Sequence, residues 1–216
     1  MDMAEFLKVK NYTYIEYCDY LQNKYGIGLA DYMTKSFNAN PKCKRTKEGL
    51  VAHHKMENTM IMLSTKEIAK RCPFEWQQKE NIVYCDYLEH LLLHVLICKY
   101  PAIDKVDIVY VGIGGIINFI VPELNDLYSG WETKQNWRKN LHNVVVDSKD
   151  VYFKILEYFM EIEVYNPTFY IDMLCKSFNA KYGLWDDSYN AEIYSEIRRI
   201  WERIKGTRED EPNHAI

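Results

Sequence analysis

Four of the six histidines in this chain fall in two pairs whose spacing permits chemistry. His53 and His54 are adjacent at the end of the short apolar run "EGLVAHH" (48–54), and His90 and His94 lie four apart in "DYLEHLLLHVLICKY" (86–100). On a helix, positions i and i+4 stack one turn above the other, so His90 and His94 can present two imidazoles to one metal ion. On a strand, neighbouring side chains point to opposite faces, so His53 and His54 cannot be equivalent ligands. An imidazole that stays outside the coordination sphere can take up a proton near neutral pH.

The elements that must position these residues can be read from pattern and capping. Residues 48–54 are short, apolar and β-branched at Val51, which predicts a strand, and "NIVYC" (81–85) predicts a second. Asp86 is a good N-cap, Glu89 stands three residues later, and Pro101 closes the segment, so 86–100 reads as a helix. Its apolar stripe is Leu88, Leu91, Leu92, Val95 and Leu96, with His90 and His94 together on another face. Between the strands, Ser64 and Glu67 have capping-box spacing for a helix over 64–72. Upstream, 12–24 and 28–38 read as helices separated by the breaker "YGIG". Downstream, helices are expected over 115–128 (interrupted at Pro122), 133–142, 148–162, 167–179 and 188–205. "VGIGG" (111–115) lacks the spacing of a phosphate loop and reads as a tight turn or a close helix contact. The expected class is α+β, mainly α: a small ββα finger embedded among flanking helices. Its regions are 1–41 (helical), 42–100 (finger) and 101–216 (helical), with no flexible linker to separate them.

The order strand with His-His, strand with Asn81, helix with His-x3-His resembles the HNH (His-Asn-His) endonuclease family. The spacing is similar to that of the colicin-type DNases, and the resemblance covers about residues 45–98. It implies a ββα-metal finger in which His53, His90 and His94 hold one divalent ion and His54 is the general base. Asn81 matches the family's central Asn, which braces the loop and helps orient the base. Arg45 and Lys47, upstream of the histidine pair, stand in imperfect register with the Arg that contacts phosphate or DNA in the family. The chemistry is coherent. Phosphodiester hydrolysis needs an activated water, charge stabilisation on phosphate and help for the leaving oxygen, and a Lewis-acidic metal supplies the last two. Three imidazoles favour Zn, Ni or Co, while family members commonly cut with Mg or Mn. Two departures stand out: the connection over residues 55–80 is long, and the finger lacks a cysteine zinc knuckle.

Composition sets the outer bounds. Apolar residues make up 48% and charged residues 27% of the 216, the balance of a soluble globular protein. No apolar run reaches the roughly 20 residues needed to span a bilayer. The first ten residues do not read as a secretory signal, so a cytoplasmic location is expected. The six cysteines include no CxxC pair and read as ordinary buried thiols. Net charge is −4 overall, but +3 over 42–100, −1 over 1–41 and −6 over 101–216. A basic finger suits DNA as partner, whereas acidic flanks oppose phosphate binding. They leave a second class open: a metal-stapled scaffold whose acidic carboxyl-terminal region binds a protein partner, such as a host defence nuclease. The abundance of Tyr, Asn, Lys and Ile fits an AT-rich phage or mobile-element genome.

Overall fold

In the computed structural model, residues 1–105, 111–162, 167–178 and 187–210 are described. The chain opens with α1 (Met3–Val9) and α2 (Tyr14–Tyr25). Thr13 and Glu16 form the capping box of α2, which satisfies the donors at its first turn. The hairpin follows as β1 (Val51–His54) and β2 (Ile82–Cys85), antiparallel, with His53 opposite Val83 and His54 opposite Ile82. A one-turn helix, α3 (Lys66–Ala69), lies in the long connection between them.

The centre of the molecule is α4 (Tyr87–Lys99). Asp86 accepts from the Glu89 amide and Glu89 from the Asp86 amide, so the capping box read from the sequence is present. The expected single apolar stripe is not what forms. Leu88, Leu91, Leu92, Leu93, Val95, Leu96, Ile97 and Cys98 are all fully buried, because α4 is surrounded. It touches both strands, α2, and three later helices: a segment at Ile113–Ile120, α6 (Asn136–Val145) and α7 (Lys149–Glu161). A helix that is apolar all round is a core helix. The intervening α5 is Val121–Tyr128, and α8 (Pro167–Leu174) and α9 (Asp187–Asp210) complete the chain. The Ile193, Ile197, Ile200, Trp201 and Ile204 face of α9 is buried, and α9 packs against α7. The architecture is α+β, mainly α, as expected.

Three local expectations are corrected. Residues 28–38 are not a helix. The Gly28 and Tyr32 amides donate to the carbonyls of Lys79 and Gln77, and Asn40 Nδ2 donates to the Asp31 carbonyl. Backbone groups engaged this way are not available to an i to i−4 ladder. The Ser64–Glu67 capping box does not form, since Thr65 is the N-cap of α3 and makes no side-chain cap bond. The interruption expected at Pro122 is displaced: Pro122 lies in the first turn of α5, which directly continues the helical segment that begins at Ile113. The irregularity lies just upstream, as a π turn at Ile116–Ile120. The helix expected over 167–179 ends at Leu174, while residue 179, residues 106–110 and the tail beyond 210 lie outside the described residues.

All six cysteines are free thiols. Among the described residues, no helix is long and apolar enough to cross a membrane. Because α4 is packed on every side, Leu92→Ala should cost about 2–5 kcal/mol in urea unfolding, the range for a cavity left by a fully buried leucine. A cost under about 1 kcal/mol would contradict the central place of this helix.

Candidate metal centre

The hairpin and α4 bring three imidazoles to one point. Ring centroids lie 5.2 Å apart for His53 and His90, 5.3 Å for His53 and His94, and 4.9 Å for His90 and His94. One nitrogen from each lies within 4.8 Å of the others, so this buried group could hold a metal ion. The i, i+4 relation on α4 accounts for the second pair of ligands. The alternation of β1 turns His53, and not His54, toward the helix.

The surroundings determine which nitrogen of each ring is free. The Tyr14 hydroxyl donates to the carbonyls of His54 and Lys55, at 3.2 and 3.0 Å, and lies 2.9 Å from His53 Nε2. With its proton committed, the hydroxyl oxygen accepts from His53 Nε2–H, and the Nδ1 lone pair is left free. His94 Nδ1 donates to the Gly112 carbonyl at 3.0 Å, which leaves Nε2. His53 Nδ1 and His90 Nδ1 are buried without a hydrogen-bond partner. Metal-binding histidines characteristically donate their second nitrogen to a fixed acceptor, and two of these three do so. Unpartnered buried nitrogens converging with an imidazole set fit a divalent transition metal in donor type and number.

Electrostatics point the same way. Burial pushes His53 down to about 3 and holds His90 well below its usual value, with its neighbours His94 and His53 adding to the effect. Burial also lowers His94. The three rings are therefore neutral at pH 7, the form that ligates metal. His90 is the least enclosed of the three. It lines a pocket of about 220 Å³ together with Val51, Tyr87, Phe119, Glu123 and Arg138, which gives the site a side facing outward.

His54 is not part of the triangle. Its ring rests on Tyr32, with centroids 4.3 Å apart, and its Nε2 lies 3.1 Å from Gln77 Oε1. Gln77 Nε2 donates to the Leu63 carbonyl, so the amide oxygen faces His54 and Nε2 carries the proton. Its Nδ1 is the basic nitrogen. Asn81 Nδ2 donates to the Glu75 carbonyl at 2.8 Å and so ties down the Phe74–Gln77 turn that carries Gln77. Asn81 thus acts on His54 only through that turn.

The two basic residues singled out upstream are placed differently from one another. Arg45 donates to the Tyr25 carbonyl at 2.6 Å, forms a two-pronged pair with Glu48, and stacks on Tyr84. Lys47 is exposed on the turn Thr46–Glu48. Lys44 and Arg45 line a second pocket of about 430 Å³, shared with Tyr32, Val51, Ala52 and Trp137. Tyr32, against which the His54 ring rests, is one of its walls.

Tyr14, Gln77 and Glu57 were not singled out from the sequence, and the glycines of 111–115 were read without their partner. Tyr14 and Gln77 orient the two adjacent histidines, as above. Gly112 and Gly115 permit the close approach of the following chain. Gly112 has φ +88, and a Cβ there would meet the His94 carbonyl at 2.8 Å. A Cβ at 115 would fall 2.3 Å from the His94 ring. The reading of "VGIGG" as a close contact identifies the right kind of feature, but not that its partner is a candidate ligand. A further neighbour is Glu57, whose Oε2 lies 3.7 Å from His53 Nδ1 and 3.5 Å from His94 Nε2. Its Oε1 lies 3.6 Å from His54 Nδ1. Burial would raise this carboxyl, but His53, His54 and His94 outweigh that and hold it well below the usual carboxylate range.

Compared with family models, curated proteins and solved structures, the chain matches none.

Two measurements check this geometry. Histidines that resist protonation in the folded protein accept it once unfolded, so the unfolded chain binds more protons below about pH 6.5. Stability of the metal-free protein should therefore be full above that pH and decline as pH falls toward 3, the value of His53. The slope should reach about 1.4 kcal/mol per pH unit for each histidine engaged, as read by urea unfolding. A flat profile between about pH 7.5 and 5.5 would exclude a buried neutral triad. Separately, Gly115→Ala should displace the His94 ring and weaken Zn²⁺ binding by at least about tenfold in calorimetry. Unchanged affinity would mean that His94 tolerates the displacement.

Proposed function

We propose that this chain is a metal-dependent endonuclease of the HNH type, hydrolysing phosphodiester bonds in DNA. One observation carries the reading: three free imidazole nitrogens from β1 and α4 converge, while the next residue on β1 presents a base oriented by Gln77, with Glu57 standing between it and His53 and His94. The resemblance read from the spacing supports the same assignment.

The residues divide the work as follows. His53, His90 and His94 would hold one divalent ion, with Zn or Ni favoured by ligand type and Mg or Mn as alternative working ions. When bound, the ion supplies Lewis-acid stabilisation to the phosphate and the leaving oxygen. His54 Nδ1 takes the proton of the attacking water while Gln77 holds its Nε2–H. Water oxygen bonds to phosphorus, the bond to the leaving oxygen breaks, and that oxygen is protonated from solvent. Glu57 Oε1 lies 3.6 Å from His54 Nδ1. Asn81 positions the turn behind His54. Lys44, Lys47 and the already braced Arg45 provide positive charge for phosphate, since DNA binds largely through neutralisation of its backbone.

The test separates ligand from base. Purified protein is offered plasmid DNA in Mg, Mn, Ni and Zn. His90→Ala should lower metal affinity, stability and cleavage together, because metal binding stabilises the folded form. His54→Ala should leave metal binding and the fold intact and reduce cleavage by about 10²–10⁴-fold, the usual worth of a general base. Full cleavage by His54→Ala would reject the role given to it. Wild-type protein that binds metal but cuts no nucleic acid with any of the four ions would make the finger a metal-stapled scaffold for a protein partner.

A further inference from the structure

We infer that Glu57 is a fourth ligand of the metal centre, closing a three-histidine, one-carboxylate site and occupying the position that an incoming phosphate oxygen would need. The inference rests on the proposed reading that the triad holds an ion, but not on the protein being a nuclease.

Glu57 is four residues beyond His53, on the single turn Lys55–Asn58 that follows β1. That turn is anchored from outside, because the Asn58 carbonyl accepts the Ala102 amide at 3.2 Å. It folds back over the strand end and brings one carboxylate oxygen to both free nitrogens, His53 Nδ1 and His94 Nε2. In a tetrahedral site with bonds of about 2.0–2.2 Å, ligand atoms are separated by roughly 3.3–3.5 Å. The Glu57 oxygen stands 3.7 and 3.5 Å from the two nitrogens, close to that edge. The three imidazoles are somewhat wider apart and would need to draw in by on the order of an ångström.

Charge argues for the same role. Glu57 is largely enclosed, and the groups within 4 Å of its carboxylate oxygens among the described residues are the imidazoles of His53, His54 and His94, with no Lys or Arg among them. A buried carboxylate without a cation is costly, and a divalent ion between it and the imidazoles would remove that cost. The second oxygen, beside His54 Nδ1, gives the carboxylate somewhere to turn when another anion takes its place. A phosphate group would then displace Glu57 from the ion instead of adding to an open position.

The test uses Co²⁺ as a spectroscopic probe on the full chain, with Glu57→Gln as the isosteric variant and Glu57→Asp as the variant that keeps a carboxylate. Circular dichroism establishes that each is folded. Wild-type protein should take up one Co²⁺, show the intense visible bands of a four-coordinate site, and be little altered by added azide. Glu57→Gln should bind Co²⁺ at least about 100-fold more weakly. Its spectrum should shift to that of a more open site and respond to azide. Glu57→Asp should recover part of the affinity and the wild-type band pattern. If Glu57→Gln keeps the affinity and spectrum of the wild type, the inference fails while the three-histidine site stands. If the wild-type protein takes up no Co²⁺, Zn²⁺ or Ni²⁺, the metal reading fails and the inference with it.

Discussion

A helix enclosed on every side by other elements cannot carry polar groups without giving each a partner. That constraint governs α4. Its leucines and Cys98 face α2, the hairpin, the π turn and α7, and each fully buried leucine contributes about 1.5–3 kcal/mol of burial before entropy. Three polar side chains on it are exceptions. Glu89 is absorbed by the capping box and by Lys24, whose ammonium lies 2.7 Å from it. His94 is tied to Gly112. His90 keeps an unpartnered nitrogen in the interior. A buried, unpartnered nitrogen of this kind calls for a water, an ion or a chemical role to account for it.

The positioning of the histidines is the work of residues that never touch an ion. Tyr14, from α2, fixes the tautomer of His53, and its hydroxyl donates to the carbonyls of His54 and Lys55, so one side chain also holds the start of the turn after β1. Gln77, held by Leu63, does the same for His54. Two adjacent histidines are thereby given opposite orientations, with Nδ1 left free on both. The alternation of the strand separates them, and hydrogen bonds from three other segments make the separation chemically definite.

Part of this was legible in the residues themselves. The i, i+4 spacing of His90 and His94, the caps of α4 and the strand parity of His53 and His54 are local, and each follows from periodicity. The missing parts are non-local. Glu57 belongs to a turn that no periodicity describes, and its relation to His94 exists only once the hairpin is docked. Tyr14 looked like one tyrosine among the many in this chain. Residues 28–38 have helix-compatible composition, yet their amides are claimed by Gln77 and Lys79 across the fold. Arg45 was read as a phosphate contact from its place near the histidines, and the structure places it against Glu48, Tyr25 and Tyr84.

The hydrogen bond from His94 to Gly112 has a consequence for the order in which the molecule forms. It joins residues 18 apart, and the bond between Tyr14 and His53 joins residues 39 apart. Each requires closure of a loop before any return in stability, and such contacts form slowly. The hairpin itself joins residues 28 to 34 apart, so the rings are not all held in their final tautomers until β2, α2 and the 112–115 segment have arrived. A cation that needs all three rings therefore meets its site only near the end of folding. Capture of an ion by all three rings would report that the chain has closed correctly.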